Sequence, residues 1–217
     1  VAHDHKLEPE PAHFRFEAKS IWHKDRADAL TTMAGVCNRI IMKPLDLPAG
    51  ADASLEHTAF FEAKEPMMAF SAHAAIVEAD PASGEFRILR YVSAEDVGRV
   101  INPLIVEGQV RGGVVQGLSN AMFEEFIYDE NGQQLTSSME NYMLANAADV
   151  PNIEILHADT PCEHTPLGTR GMGEGVPGPV PGALCNAICD ALEPFGIEIR
   201  DLPVRPDRVW ALLQAAK

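Results

Sequence analysis

The chain has 217 residues, 46% of them hydrophobic and 23% charged, which is the balance of an ordinary globular protein long enough to bury a sizeable core. Its net charge of −15 argues against nucleic acid or an anionic membrane surface as a partner, because both need a basic face. No apolar run approaches the roughly 18 residues of a membrane span, and the N-terminus carries no signal-peptide pattern.

Beginning at Val1 rather than methionine, the sequence reads as a processed chain or a piece of a longer one. Four cysteines, Cys37, Cys162, Cys185 and Cys189, are too sparse for a disulfide framework at this length. Cys185 and Cys189 share a face of a predicted helix, but no second pair completes a metal-ligand set. Free buried thiols in a reducing, cytoplasmic compartment are the expectation.

In chain order, residues 1–12 read as a loose N-terminal segment, and 13–217 as one α+β domain of mixed β-sheets covered by helices. His13 to Trp22 alternates at a two-residue period and predicts a strand. Arg26 to Met42 carries an apolar stripe at helical spacing, with Asp25 and Asp28 suited to the positive end of its dipole. Leu55 to Ala63 predicts a strand. Ala69 to Ala79 and Phe86 to Val92 predict a hairpin about the turn residues 80–84. A polar loop follows to Asn102-Pro103, and two subdomains are expected to meet near 97–104.

Leu104 to Glu125 is the longest regular segment, a helix with glycines at 108, 112, 113 and 117. Each glycine costs roughly 1 kcal/mol against alanine inside a helix. Such a run implies compensation, either from close packing or from a ligand held against the backbone. Gln109 and Gln116 lie with Gly112 and Gly113 on one face, where an amide either binds a polar ligand or is merely solvated. Residues 126–136 predict a second hairpin with Asn131-Gly132 at its tip. Residues 152–158 predict a strand and 160–175 a long loop. A buried helix is expected over 176–191, a short strand at 197–199 and a terminal helix over 206–217.

The loop ends in Gly168-Thr169-Arg170-Gly171-Met172-Gly173-Glu174-Gly175. Four glycines in eight residues mark backbone that turns sharply or lies close against something. Among them stand one carboxylate, Glu174, and one guanidinium, Arg170, just before the buried helix. That is a place to fix an acid or base; a surface turn with a solvated glutamate is the competing reading.

Three separated motifs then carry a resemblance. Asp96-Val97-Gly98-Arg99-Val100-Ile101-Asn102-Pro103, Gly108-Gln109-Val110-Arg111-Gly112-Gly113 with Gln116-Gly117, and the 168–174 loop occur in the order and spacing of the molybdenum subunit of the xanthine oxidase family. The likeness is to its C-terminal part, and it is closer to the branch containing aerobic carbon monoxide dehydrogenases and N-heterocycle hydroxylases. The resemblance implies a C-terminal molybdopterin-binding domain. In that family the glutamate of the glycine loop is the active-site base beside molybdenum, which maps to Glu174. The glutamine motif contacts the molybdopterin, which maps to Gln109 with Gly108. Gly171 and Gly173 let the backbone approach the cofactor, and Arg170 either meets a cofactor phosphate or orients the carboxylate.

The resemblance further implies a hydroxylase or dehydrogenase acting on a small N-heterocycle, aldehyde or CO-like substrate with water as the oxygen source. No protein side chain would ligate the metal. The cofactor would be molybdopterin, in its cytosine dinucleotide form, with molybdenum. Iron–sulfur (2Fe–2S) and FAD subunits, and an N-terminal molybdenum-subunit chain, would be the partners, because a full molybdenum subunit of the family is several times longer. A non-catalytic structural or assembly subunit with a degenerate copy of the fold is the alternative.

Overall fold

The computed structural model describes residues 1–56, 58–62 and 65–216. They fall into two compact units, Val1–Phe61 and Glu62–Lys217, and the residues near 97–104 lie inside the second, where the chain passes from strand to helix.

In the first unit, the single strand expected over 13–22 is a hairpin of β1 (Phe14–Glu17) and β2 (Ser20–His23), with Phe14 opposite His23 and Glu17 opposite Ser20. Ala18 and Lys19 reverse the chain at φ of 49° and 63°. A two-residue turn leaves the two-residue period intact, so the alternation gave no sign of it. A short β3 (Thr31–Thr32) joins β2, and α1 runs over Met33–Met42 rather than from Arg26. The start is set by Thr32, whose hydroxyl oxygen accepts from the Gly35 N–H at 3.1 Å and caps the helix. Of the strand expected over 55–63, residues 57 and 63 lie outside the described residues. The others are irregular, with Phe60 and Phe61 exposed.

The second unit is built on a mixed sheet of order β4-β5-β6. β4 (Phe70–Ala79) and β5 (Phe86–Asp96) form the predicted antiparallel hairpin, with β5 continuing four residues past its expected end at Val92. Its turn is tied by Asp80, which accepts from the Ala82 N–H at 2.9 Å and the Ser83 hydroxyl at 3.0 Å. Gly84 sits at φ +78°, where a Cβ would lie 2.4 Å from the Pro206 carbonyl oxygen, so the turn docks directly on the start of α4 (Pro206–Ala215). β6 (Ile153–Ala158) pairs with β5 in parallel. A parallel neighbour requires a crossover, and α2 (Pro103–Met122), capped by Asn102, lies within it.

α3 (Pro179–Ala191) packs against both β4 and α2. Val110, Val114, Leu118 and Ala121 of α2 meet Val180, Leu184 and Ile188 of α3 in one core, with Tyr91, Ile153, Val209 and Leu213. Each such buried aliphatic side chain contributes about 1.5–3 kcal/mol relative to exposure. The helices approach closely because Gly113 and Gly117 face Val176 and Val180; a Cβ at these glycines would lie 2.7 and 2.4 Å from the two valine Cβ atoms.

One expected element is shortened and another is absent among the described residues. The 126–136 hairpin closes about Asn131-Gly132 with the single antiparallel bridge Tyr128–Gln134 and backbone bonds Asp129–Gln133 and Leu135–Ile127 at 2.9 and 2.7 Å, and the Asp129 carboxylate ties its turn by accepting the N–H groups of Asn131 and Gln133 at 2.9 and 2.8 Å. The segment 197–199 forms no strand; the Ile199 N–H donates to Cys189 Sγ at 3.2 Å instead.

Candidate active site

The 159–178 loop is held at both ends. At its entry, Asp96 closes β5, paired to Phe70 on one side and Ala158 on the other. Asp96 Oδ1 accepts from the Gly98 N–H at 2.9 Å, the Thr160 N–H at 3.3 Å and Arg170 Nη1 at 3.1 Å. Burial alone would raise the Asp96 carboxyl, but the Gly98 and Thr160 hydrogen bonds and the Arg170 charge outweigh it and hold the group below its ordinary value.

Arg170 Nη1 donates a second bond to the Thr160 carbonyl at 2.6 Å, and its guanidinium lies over the Phe70 ring at 5.5 Å. Backbone bonds cross the same junction, from the Arg170 N–H to the Val97 carbonyl at 2.7 Å and from the Arg99 N–H to the Gly168 carbonyl at 2.8 Å. The crossing requires Gly98, at φ +64°: a Cβ there would sit 2.2 Å from the Gly168 oxygen. At the exit, the Ser71 hydroxyl of β4 donates to the Gly175 carbonyl at 3.1 Å, and Val176 packs on Gly113.

Between these anchors the loop is open. Gly171, Gly173 and Glu174 are exposed. None of the backbone N–H groups of 171–175 donates to another described residue, and the Glu174 carboxylate has no hydrogen-bond or ion-pair partner among them. A Cβ at Gly171 or Gly173 would meet nothing within 4 Å. The site thus offers one free carboxylate amid unused amide donors on backbone that is fixed at either side.

The glycine-rich face predicted for α2 is two faces. Gly113 and Gly117 are spent on packing against the start of α3, whereas Gly108 and Gly112 have no atom within 4 Å of a Cβ position. Gln109 is exposed, one helical turn from Gly113 and so from the point where the Glu174 loop touches α2. Gln109 and Glu174 make no hydrogen bond to each other. The structure brings Arg170 and Glu174 onto one anchored loop and sets Gln109, Gly108 and Gly112 on a neighbouring open helix face.

Sequence reasoning named no role for Asp96, Ser71 or Thr160. The Asp96-x-Gly98 spacing carries a local signal, since aspartate commonly accepts from the N–H two residues on. Nothing local points from Asp96 to Arg170, or from Ser71 to Gly175. The Cys185 thiol is pushed up by burial and by Cys189 beside it. Among the described residues no cluster of three or more His, Cys, Asp or Glu side chains is placed to hold a metal ion. The concavity bordered by Glu125, Arg200, Leu202 and Arg208 contains none of the predicted site residues.

Residues 1–151 match the molybdopterin cofactor-binding domain family. The nicotine 6-hydroxylase large subunit of Paenarthrobacter nicotinovorans is 39% identical over 183 residues, 84% of this chain and 22% of that protein. The carbon monoxide dehydrogenase large chain of Hydrogenophaga pseudoflava is 30% identical over 210 residues, covering 97% of this chain and 26% of its own. The crystal structure of quinoline 2-oxidoreductase from Pseudomonas putida 86 superimposes with a TM-score of 0.89 at 33% identity, covering 99% of this chain and 27% of that one. The chain therefore spans about a quarter of the length of these relatives. Its sequence and its α+β architecture agree on one assignment: the chain belongs to the molybdopterin cofactor-binding domain family of molybdenum hydroxylases.

Proposed function

We propose that the chain is the C-terminal portion of the catalytic molybdenum subunit of a hydroxylase or dehydrogenase, with Glu174 as its base. The observation that carries this reading is the exposed, unpartnered Glu174 carboxylate on a loop anchored at both ends. A solvated glutamate on a surface turn needs no such anchoring. A general base needs it, because proton transfer demands a fixed donor–acceptor geometry.

The residues present fit a molybdopterin. Exposed Gly171 and Gly173 leave room for close approach, and the unused N–H groups of 171–175 offer donors to an anionic group. On α2, the open backbone at Gly108 and Gly112 flanks the Gln109 amide, which can donate and accept. We assign Gln109, Gly108, Gly171 and Gly173 to cofactor contact, and favour molybdopterin cytosine dinucleotide. When bound, the cofactor would supply two-electron oxidation, so that a substrate C–H and water become C–OH, or carbon monoxide and water become carbon dioxide, with two electrons and two protons released.

Glu174 accepts, at a carboxylate oxygen, a proton that the water-derived oxygen must lose. The anchors at Arg170 and Gly175 restrict where the Glu174 carboxylate can go. The substrate is a small N-heterocycle, an aldehyde or a CO-like molecule. The electrons leave through 2Fe–2S and FAD subunits, and the N-terminal part of the molybdenum subunit completes the site. We place the assembly in the cytoplasm, where four free thiols remain reduced.

The test is Glu174→Gln in the assembled enzyme. Turnover should fall by at least ~100-fold, the lower range for general-base catalysis, with molybdenum content unchanged. Wild-type turnover in a fully metallated variant would overturn the assignment and leave a non-catalytic subunit as the reading.

A further inference from the structure

We propose that Asp96 is a positioning residue for Glu174 and acts through Arg170, so that the Arg170 guanidinium serves the loop and not a cofactor phosphate. This rests on reading Glu174 as the base. Asp96 stands on rigid ground: it ends the central strand of the sheet and is flanked by paired residues on both sides. Its Oδ1 collects three donors, two from backbone at the loop's entry and one from Arg170. The Arg170 and Asp96 side chains are only 13% and 15% exposed. Nη1 is committed twice inward, to Asp96 and to the Thr160 carbonyl, while the guanidinium carbon lies over the Phe70 ring at 5.5 Å.

From Arg170 to Glu174 is four residues, at most about 14 Å of extended chain. Gly175, the next residue, is held by Ser71. Fixing both ends of so short a span restricts where the carboxylate can go, although nothing binds the carboxylate itself. A misplacement of about 1 Å costs on the order of 100-fold in rate, so a clamp remote from the reacting atoms has leverage on turnover.

Asp96→Asn keeps an Oδ1 acceptor for Gly98 and Thr160 and removes the charge that Arg170 pairs with. In the assembled enzyme, amide hydrogen exchange at Arg99 and Arg170, whose N–H groups bond across the junction, should accelerate by roughly 10-fold or more, the loss of one charge-assisted bond. The kcat should fall by about 10–100-fold, with KM and molybdenum content unchanged. Arg170→Lys should behave alike, since an ammonium has neither the reach of Nη1 to Asp96 and Thr160 nor a flat face to lay over Phe70, and the double variant should be no worse than either single one.

Unchanged exchange in Asp96→Asn overturns the clamp whatever Glu174 does. If Arg170→Lys lowers molybdenum content while Asp96→Asn does not, Arg170 is a cofactor contact and the proposal fails. Glu174→Gln measured alongside separates the two readings. Full turnover there removes the base and leaves the exchange result to report on the loop alone. Loosened exchange with wild-type kcat, in an enzyme that Glu174→Gln inactivates, rejects positioning while sparing the base. Should Asp96→Asn not assemble, Arg170→Lys carries the same exchange and kcat test, because it leaves Asp96 both amide donors.

Discussion

Glu95 is a carboxylate with no exposed side-chain surface, and it is bound to an equally buried histidine. His73 Nε2 lies 3.0 Å from Glu95 Oε1, and His73 Nδ1 lies 2.8 Å from the Tyr91 hydroxyl. The Ser93 hydroxyl also donates to Glu95. Burial first, and then the Glu95 charge, pushes the Tyr91 hydroxyl up and keeps it protonated. With Tyr91 donating to Nδ1 and Nε2–H donating to Glu95 Oε1, both ring nitrogens are served, while Glu95 Oε2 is buried with no partner among the described residues. His73 lies two residues along β4 from Ser71, which holds the loop's exit. Removing His73 leaves the buried Glu95 carboxylate without its main donor, so His73→Leu should destabilise by about 3–5 kcal/mol, and Glu95→Leu, which orphans a neutral ring N–H, by about 1–3 kcal/mol. Tyr91→Phe should also cost less than His73→Leu, about 1–3 kcal/mol for one orphaned acceptor. Thermal unfolding of the three purified variants checks the order.

At the scale of elements, α2 uses its glycines for two purposes, and the two should separate by experiment. Gly117 is in contact with α3, where a Cβ would lie 2.4 Å from Val180 Cβ and 2.9 Å from the Pro177 carbonyl. Gly117→Ala should therefore cost roughly 1–3 kcal/mol from overpacking. Gly112 has open space at its Cβ position, so Gly112→Ala should raise apo stability by up to about 1 kcal/mol through helix propensity. Because Gly112 lies on the open face beside Gln109, the added methyl should also lower molybdenum occupancy at limiting cofactor. Gln109→Ala should lower occupancy with little change in apo melting temperature. Molybdenum per complex and apo melting temperature, measured together, distinguish a cofactor wall from a packing face. Unchanged occupancy in both Gly112→Ala and Gln109→Ala would remove the cofactor role of this face.

At the scale of the whole molecule, the sheet of the second unit is apolar on its outer side as well. Phe70 and Ile76 of β4 and Leu156 of β6 are each more than half exposed, around Ala72 and Ala74. The Arg90–Glu154 pair, with two bonds of 2.7 Å, borders this patch. Contiguous apolar surface of this kind marks a covered face, and the relatives it matches are about four times longer. Expressed alone, the chain should self-associate and bind a hydrophobic dye. Co-expressed with the rest of its molybdenum subunit and with iron–sulfur and FAD subunits, it should elute as one complex. A monodisperse, active free chain in size-exclusion chromatography would contradict the proposed assembly.

The sequence by itself determined what is local. The β4–β5 hairpin followed from alternation and turn residues, α2 from the long regular segment after Asn102-Pro103, and α3 from the apolar run behind the glycine loop. The three motifs sufficed to indicate the family, since their order and spacing are properties of the chain and not of its packing. Register and start points were less legible, because the Ala18–Lys19 turn preserves the period and the Thr32 cap competes with an apolar stripe that begins earlier. Tertiary structure alone decided which glycines of α2 pack and which stay open, since both sets are identical in sequence terms and differ only in what lies opposite. It alone joined Asp96 to Arg170, 74 residues apart, and Ser71 to Gly175, 104 apart. Hydrogen bonds over such separations are fixed by the pairing of β5 with its two neighbours and by the α2 crossover, and no local pattern encodes which distant polar group a folded sheet will bring within 3 Å.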